Sequence, residues 1–470
     1  MPVKHIFQKI CACVLTAALA LSSLSVCVSA EDYVSIFDSG IDFHCAGFYM
    51  ENVDTGTPVI SRNALEKRGI ASVSKLMTVL LAAEAIERGD ITLASEITAE
   101  YGDFNDMDPD GSTAGISKGE TVTAEQLIYC MLVGSANEAA NILARLVAGD
   151  IDSFVGRMNS RASELGCQYT SFLNPHGLTT KSKTFNVSCA YDVSLILKQI
   201  MKYDYVVAAM STSTYKLTTN KHKDHLITSG NYLLDETRSP IRDGKSYRYE
   251  FIKGAKTGYT SAAGACFASF AEKDGITYVC VALGGERESK YTTNYAQWNT
   301  KEAYQWAFDS LSVRPIVDPA LKVDEIPVSL SFDSDTVKLV PEKEITALIP
   351  NDFDISLFQK EYRLPESLTA PVTKGQVVCD MNVLFDGKVI GTVNLVTDRD
   401  IERSATLGAV DKFETIVKSK LFIVVICILV CLLIAYGVML IFINARRRRS
   451  KKRNSQSYRR GISKRGRRFK

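Results

Sequence analysis

The chain has 470 residues, which gives room for roughly two or three domains. Its formal net charge is +2, but a C-terminal tail contributes +14 and the first 30 residues contribute +2, which leaves −14 for residues 31–445. Of the twelve cysteines, seven lie outside the first 30 residues and the apolar C-terminal run, and this odd number without close pairing argues against a disulfide framework.

The N-terminus has the pattern of a secretory signal peptide over residues 1–30. Lys4 and Lys9 stand at the start of an apolar run that continues to Ala20, and the small residues at positions 28–30 form a cleavage site. The sequence therefore predicts that the rest of the chain is exported.

A serine and a lysine three residues apart stand at the head of a strongly apolar helical stretch. They are Ser72 and Lys75, and residues at this spacing in a helix share one face. This is the geometry of an activated nucleophile, in which a serine attacks and a neighbouring amine takes its proton. The same spacing recurs at Ser213 and Lys216, where no apolar helix follows, so the pair carries little weight by itself.

Ser135 and Asn137 lie in a short loop between two predicted helices. The first helix opens with a capping box at residues 123–126, and the second follows the loop directly. The Ser-x-Asn spacing is common, because it recurs at positions 61–63 and 229–231. The copy at Ser135 is the one with a helix–loop–helix setting.

Lys256, Thr257 and Gly258 form a Lys-Thr-Gly sequence that occurs once in the chain. Two strand-like runs follow it, and Asp274 and Gly275 join them with a dipeptide that favours a tight hairpin turn. The sequence therefore predicts a β-hairpin next to this third motif.

Strand-like runs stand at both ends of residues 31–312, and helical stretches stand between them. A run at residues 46–50 precedes the Ser72 helix, a hairpin at 264–285 follows the helical middle, and a helix at 291–311 closes the region. This order favours an antiparallel sheet with a helical cluster, which is an α+β fold. We therefore predict one domain over residues 31–312 that carries all three motifs.

The character of the sequence changes after this domain. Short alternating runs with Pro and Gly between them predict a small β-rich domain at 313–400, followed by a charged stalk or connecting helix at 401–420. Residues 421–443 carry no charge and are long enough to span a bilayer as a helix. The tail at 444–470 holds fourteen Lys or Arg and no acid, so the positive-inside rule predicts a cytoplasmic tail and an external main domain. Its position beside a membrane helix favours anionic lipid over nucleic acid as its partner.

The three motifs occur in the order Ser-x-x-Lys, Ser-x-Asn, Lys-Thr-Gly, which is the signature of penicillin-binding proteins and serine β-lactamases. The chain resembles the D-alanyl-D-alanine carboxypeptidases, which are low-molecular-mass penicillin-binding proteins of the bacterial cell wall. Residues 154–166 and 170–178 resemble the central stretch of the family, and residues 370–376 and 386–391 resemble its C-terminal β-domain. The resemblance extends over about residues 35–400 and implies the serine β-lactamase/transpeptidase fold.

Two features depart from the family pattern. Glu138 follows the Ser-x-Asn motif, where members of the family often carry Asp. A spanning segment at 421–443 takes the place of the amphipathic C-terminal helix with which many members hold the membrane. Neither departure changes the expected chemistry.

The motifs and the resemblance together imply roles for the residues around the nucleophile. Ser72 is expected to be the acylating nucleophile, and Lys75 its general base, provided that burial and nearby cations keep the amine neutral. Ser135 and Asn137 would pass protons and hold the peptide amide. His176 is expected to be a structural loop residue, because Lys75 is already available as a base.

The remaining site residues are expected to bind the substrate. Lys256 and Thr257 would contact its terminal carboxylate, and Gly258 would allow close approach on the strand. The resemblance implies an oxyanion hole formed by the backbone N–H groups of the nucleophilic serine and Tyr259. Arg287 is either a second carboxylate contact or a solvated charge.

These expectations predict a single-pass bacterial membrane protein, a serine-type D-Ala-D-Ala carboxypeptidase that acts on peptidoglycan stem peptides and is acylated by β-lactams. Three alternatives remain open: a β-lactamase, a D,D-endopeptidase on cross-links, and a non-catalytic receptor for wall peptides or β-lactams. A class A β-lactamase would carry Glu where this chain has Thr170, and intact Ser72, Lys75 and Lys256 argue against a receptor. Since the chain has no Cys-x-x-Cys or His-Glu-x-x-His sequence, we expect no metal. We also expect no cofactor and no nucleic-acid partner.

Overall fold

The computed structural model describes residues 37–465, apart from residues 106, 109–110, 180–182, 243 and 289–292. The predicted signal peptide and the last five residues of the predicted tail lie outside the described residues. The chain forms two compact units. The N-terminal unit comprises the chain up to Arg314 together with Ala347–Phe353, and the C-terminal unit comprises Pro315–Thr346 and the chain from Asp354 onward.

An antiparallel sheet forms the centre of the N-terminal unit. The longer strands of this unit are β1 (Cys45–Asn52), β2 (Thr57–Arg62), β3 (Thr214–Leu217), β4 (His225–Thr228), β5 (Ile252–Thr260), β6 (Gly264–Lys273) and β7 (Ile276–Gly285). Five of them pair in the order β5-β6-β7-β1-β2, whereas β3 and β4 form a separate hairpin. The predicted β6–β7 hairpin is confirmed, and its turn residues Asp274 and Gly275 have φ of +52° and +80°, as a type I′ turn requires.

Helices cover both faces of this sheet. They are α1 (Lys75–Glu87), α2 (Ala124–Val133), α3 (Asn137–Ala148), α4 (Ile151–Glu164), α5 (Ala190–Ile200), α6 (Asp204–Met210) and α7 (Tyr295–Ser310). The first six share one hydrophobic core with one face of the sheet, and α7 packs in a second core on the other face. Ten of the thirteen residues of α1 are buried, which explains why this helix is apolar all round. The predicted α+β fold is confirmed, although the closing helix begins at Tyr295.

Short paired segments complete the N-terminal unit. They are Arg68–Gly69 with Val187–Ser188, Glu96–Thr98 with Thr121–Thr123, Ile241–Arg242 with Lys245–Ser246, and Arg287–Glu288 with Thr293–Asn294. The second Ser-x-x-Lys copy, at Ser213 and Lys216, lies at the start of strand β3. In a strand, residues three apart point to opposite faces, so this copy cannot bring its hydroxyl and amine together.

The C-terminal unit is rich in strands, as predicted. These are β8 (Asp324–Ser329), β9 (Thr336–Pro341), β10 (Gln359–Tyr362), β11 (Leu368–Thr369), β12 (Val377–Phe385) and β13 (Lys388–Thr397). They form a sheet in the order β10-β12-β13-β9-β8-β11, in which the β8–β11 pair is parallel. Alternate residues such as Val337 and Leu339, or Met381 and Val383, are buried, as expected for a sheet with one face on a core. Further strands, at Leu311–Val317 and Ile345–Pro350, belong partly to each unit.

Two helices end the described part of the chain, α8 (Ala405–Lys418) and α9 (Lys420–Arg465). Helix α8 occupies most of the predicted stalk. Within the described residues, the segment Lys420–Arg449 of α9 is the one helical segment long and apolar enough to cross a membrane. No residue in its most apolar stretch is buried. It contains the predicted span at 421–443. The helix continues beyond the apolar segment into the basic residues of the predicted tail.

Candidate active site

Ser72 lies in a tight turn that leads directly into α1. Residues Ala71–Ser74 form one turn of 3-10 helix. Ala71 has a φ of +45°, a conformation that costs a non-glycine residue about 1–3 kcal/mol. Its carbonyl accepts a hydrogen bond of 2.8 Å from Oγ of Ser74, and a Cβ atom added at Gly177 would lie only 1.9 Å from the same oxygen. The backbone at Gly177 therefore packs against the turn that carries Ser72 and holds it in place.

The side chain of Lys75 is fully buried, one helical turn after Ser72. Its Nζ atom lies 2.9 Å from Oγ of Ser72. The same nitrogen donates hydrogen bonds to Oδ1 of Asn137, at 2.8 Å, and to the backbone carbonyl of His176, at 2.7 Å. The predicted pairing of Ser72 and Lys75 on one face is therefore present, and Asn137 of the second motif contacts the same amine.

The site contains a second buried lysine, Lys256, which is 1% exposed. Burial lowers the pKa of Lys256 to about 7. Burial also lowers the pKa of Lys75 well below its ordinary value, and the charge of Lys256 lowers it further, whereas Glu138 acts in the opposite direction. Two amines that share a desolvated site cannot both hold a proton cheaply, so Lys75 is held toward its neutral form.

Ser135 lies in the predicted loop between α2 and α3, whereas Asn137, which was expected in that loop, is the first residue of α3. The predicted capping box opens α2, because the N–H of Thr123 donates to Oε1 of Gln126 and the N–H of Gln126 donates to Oγ1 of Thr123. Ser135 has a φ of +57°, which turns the chain between the two helices. This turn places Oγ of Ser135 3.0 Å from Nζ of Lys256, which donates to it.

Lys256, Thr257 and Gly258 lie on β5, which is an edge strand of the central sheet. Nζ of Lys256 donates a second hydrogen bond, of 2.7 Å, to the carbonyl of Thr257. Gly258 is where this strand approaches Ser72, since an added Cβ would lie 3.0 Å from the backbone nitrogen of Ser72 and 3.1 Å from that of Val73. The glycine of the third motif is therefore required by the close approach of two backbones.

Tyr259 and Arg287 form the exposed end of the predicted site. The ring of Tyr259 is 54% exposed, and the guanidinium of Arg287 lies over it at 4.5 Å from the ring centroid. This contact places Arg287 beside β5, next to the residue that follows the Lys-Thr-Gly sequence.

The backbone carbonyl of His176 is a site group that sequence reasoning missed. Its loop is fastened by amide side chains: Oδ1 of Asn174 accepts from the N–H of Gly177 at 2.6 Å, and Nδ2 of Asn186 donates to the carbonyl of Asn174 at 2.9 Å. Nδ1 of His176 accepts from the N–H of Leu178 at 3.1 Å, which fits the structural role predicted for its ring. The signal in the sequence was the Asn-Pro-His-Gly run itself, which suggested a shaped loop but no contact with Lys75.

Glu138 is a second residue beside the site for which the sequence predicted no role. Its side chain is buried, and Oε1 accepts hydrogen bonds of 2.7 Å from Oγ1 of Thr113 and from the N–H of Ala114. The N–H of Asn137 donates to the carbonyl of Ser112 at 3.0 Å. The start of α3 therefore holds the segment around Thr113 against the second motif.

The position that would carry Glu in a class A β-lactamase is occupied by Thr170. Its hydroxyl lies 2.7 Å from Oγ of Ser188 and donates to Oδ2 of Asp192 at 2.8 Å. Among the described residues, no group of three or more His, Cys, Asp or Glu side chains is placed to hold a metal ion.

Family comparisons match both units of the chain. The D-alanyl-D-alanine carboxypeptidase family matches residues 43–287, and the C-terminal domain of penicillin-binding protein 5 matches residues 324–403. D-alanyl-D-alanine carboxypeptidase DacF of Bacillus subtilis is 26% identical over 373 residues, which is 77% of this chain and 88% of the relative. D-alanyl-D-alanine carboxypeptidase DacC of Escherichia coli is 27% identical over 369 residues, which is 76% of this chain and 84% of the relative.

Solved structures show the same fold. Penicillin-binding protein 5 of Haemophilus influenzae has a TM-score of 0.56 at 23% identity, over 77% of this chain and 99% of the other. PBP3 of Streptococcus pneumoniae, described as a peptidoglycan synthesis regulatory factor, has a TM-score of 0.56 at 24% identity, over 77% and 100%. With the family match extending over more than half of its residues, the chain belongs to the D-alanyl-D-alanine carboxypeptidase family.

Proposed function

We propose that this chain is a serine-type D-Ala-D-Ala carboxypeptidase that removes the terminal D-alanine of peptidoglycan stem peptides through an acyl-enzyme on Ser72. The observation that carries the proposal is the position of Nζ of Lys75, 2.9 Å from Oγ of Ser72. A serine hydroxyl becomes a competent nucleophile at neutral pH only when a base is within hydrogen-bond reach.

The surroundings of Lys75 suit it to that task. A neutral amine has two N–H groups and one lone pair. The Oδ1 atom of Asn137 and the carbonyl of His176 accept hydrogen bonds, so they engage both N–H groups. The lone pair is left to accept the proton of Ser72 as its oxygen attacks the substrate carbonyl, and the amine can then return that proton to the leaving D-alanine.

The other motif residues would stabilise the transition state and bind the substrate. The negative oxygen that forms during attack would be held by the backbone N–H groups of Ser72 and Tyr259, and the close packing of Gly258 on the Ser72 nitrogen supports this, since it brings the two chain segments together. Lys256 and Thr257 would bind the terminal carboxylate, with Arg287 as an outer cation. Ser135, hydrogen-bonded to Lys256, would carry protons between the two lysines.

The proposal includes the partners and the location. β-Lactams would acylate Ser72 because their amide carbonyl and carboxylate present the same two groups as the D-Ala-D-Ala terminus. The apolar segment of α9 would anchor the chain in the bacterial membrane, with the N-terminal unit on the external face and the basic tail in the cytoplasm.

A β-lactamase is disfavoured by Thr170, which supplies a hydroxyl where class A enzymes use Glu to activate the deacylating water. Endopeptidase action on cross-links would use the same acyl-enzyme and differs only in the amine that leaves. A receptor without catalysis would have no use for a buried lysine beside a serine hydroxyl.

The test is to incubate the detergent-solubilised full chain with a pentapeptide that ends in D-Ala-D-Ala and to follow release of D-alanine. A second reaction uses the same peptide with its terminal carboxylate blocked as an amide, and the cleavage product followed there is D-alaninamide. Release from the free peptide and none from the amide would support the proposal. Equal rates on both would contradict a carboxypeptidase and favour an endopeptidase.

A further inference from the structure

Two histidines stand together at the tip of the β3–β4 hairpin. The ring centroids of His222 and His225 are 4.9 Å apart. A Cβ atom added at Gly115 would lie 3.5 Å from Nε2 of His222 and 3.9 Å from Nε2 of His225, so both nitrogens lie next to the same small volume beside Gly115. His225 is exposed and His222 is partly exposed, so this volume is open to solvent.

A buried carboxylate fixes the orientation of His222. Oε1 of Glu120 lies 2.8 Å from Nδ1 of His222, and Glu120 itself is completely buried. This contact favours the tautomer in which Nδ1 donates to the carboxylate, and it leaves Nε2, on the side of Gly115, as the nitrogen with a lone pair.

We propose that His222 and His225 form a binding site for a divalent transition metal ion, with Zn²⁺ as its representative, in which both Nε2 atoms are ligands and water completes the coordination. A metal-binding histidine characteristically donates its other ring N–H to a carboxylate, which is the arrangement of His222 and Glu120. Imidazole nitrogen is a preferred ligand of Zn²⁺, Cu²⁺ and Ni²⁺. With two protein ligands, the ion exchanges with solvent, unlike an ion in a closed four-ligand structural site.

Both ligands of the site lie on a hairpin that also contacts the residue before Ser135. The tip of the hairpin is already fastened to the first turn of α2 and to the segment before it: Nε2 of Gln126 donates to the carbonyl of Thr218, and Thr219 donates to Glu120. At the other end of the hairpin, a Cβ added at Gly134 would lie 2.5 Å from Cγ2 of Ile227, so β4 packs directly against the residue before Ser135. A bound ion would therefore stiffen the hairpin that supports the Ser135 loop.

The test is a calorimetric titration of the full chain in detergent, freed of metal with EDTA and then dialysed, with ZnCl₂ as the probe. We expect one ion per chain. His225→Ala removes an exposed ring and should therefore leave the fold intact, but it should bind Zn²⁺ at least tenfold more weakly. Glu120→Gln should weaken binding about 10- to 100-fold, as loss of an outer carboxylate partner does. His44→Ala is the matched control, because His44 is also a partly exposed histidine of the N-terminal unit, and it should bind as the unmodified chain does.

Hydrogen exchange gives an independent readout. Zn²⁺ should slow amide exchange in the β3–β4 hairpin of the unmodified chain and leave it unchanged in His225→Ala. The inference is overturned if His225→Ala binds Zn²⁺ with unchanged affinity and stoichiometry, if His44→Ala is the variant that loses binding, or if Zn²⁺ leaves hairpin exchange unaltered in the unmodified chain. These outcomes are separate from D-alanine release, so they do not depend on the proposed activity.

Discussion

Nζ of Lys256 lies 3.0 Å from Oγ of Ser135, and this contact joins the third sequence motif to the second. Lys75 joins the second motif to the first, because it contacts both Asn137 and Ser72. Hydrogen bonds from two buried amines thus connect the three motifs. The charge of Lys256 lowers the pKa of Lys75, and burial lowers the pKa of both amines, so we expect the activity of the site to depend on pH.

The nucleophile can be tested with a control inside the same chain. Ser72→Ala should abolish the covalent adduct with a labelled penicillin, as measured by intact-mass spectrometry. Ser213→Ala alters the second Ser-x-x-Lys copy, which lies at the start of a strand, and should leave the adduct at its full level. A stable adduct on the Ser72→Ala protein would show that another residue is acylated.

The two lysines should give a bell-shaped dependence of kcat/KM on pH. Attack requires neutral Lys75, so activity should rise as the pH passes through its lowered pKa. Carboxylate binding requires charged Lys256, so activity should fall by about tenfold per unit above its pKa of about 7. Lys256→Arg keeps its charge at all these pH values, so the fall on the alkaline side should disappear even though the maximum is lower. An unchanged alkaline limb in Lys256→Arg would assign that limb to another group.

Glu138 should set the pH at which kcat/KM rises on the acid side of this profile, which we call the acid limb. Its charge raises the pKa of Lys75, so Glu138→Gln should lower that pKa and move the acid limb to lower pH. Glutamine keeps Oε1, which accepts both bonds from Thr113 and Ala114, so the segment should stay in place. Glu138→Asp keeps the charge and serves as the control for the limb. An acid limb at the same pH in all three proteins would contradict this role.

The sequence predicted which residues meet at the site because side-chain spacing on helices and strands is regular. The pairing of Ser72 with Lys75 follows from helical periodicity, and the hairpin after Gly258 follows from turn chemistry. The carbonyl of His176 could not be predicted in this way, because every residue has one and only the folded loop aims it at Lys75. The same holds for the positive φ of Ala71, which the packing of a distant loop imposes.

Gly258 gives a steric test of the site. Gly258→Ala would place a methyl group 3.0 Å from the backbone nitrogen of Ser72 and 3.1 Å from that of Val73. Backbone atoms, unlike the end of a flexible side chain, cannot rotate away from the new group. We expect penicillin acylation to slow at least tenfold, because the turn that carries Ser72 must move. Gly156→Ala on α4 is the matched control, since an added Cβ there meets nothing within 4 Å. Gly156→Ala should be acylated by penicillin at the normal rate. Its free energy of unfolding should rise by about 0.5–1 kcal/mol, because Ala favours a helix more than Gly does. Equal acylation rates in the two variants would refute the close-approach argument.

The membrane topology can be tested with a tag at the C-terminus. The apolar part of α9 is followed by fourteen basic residues in the tail, and carrying these charges across the bilayer is costly, whereas anionic lipids of the inner leaflet attract them. Protease added to intact protoplasts should therefore remove the N-terminal unit and leave a tagged fragment of the membrane helix and tail. The tag should be digested only after detergent opens the membrane. Loss of the tag without detergent, or release of the whole protein by carbonate, would mean that α9 does not span the membrane in this orientation.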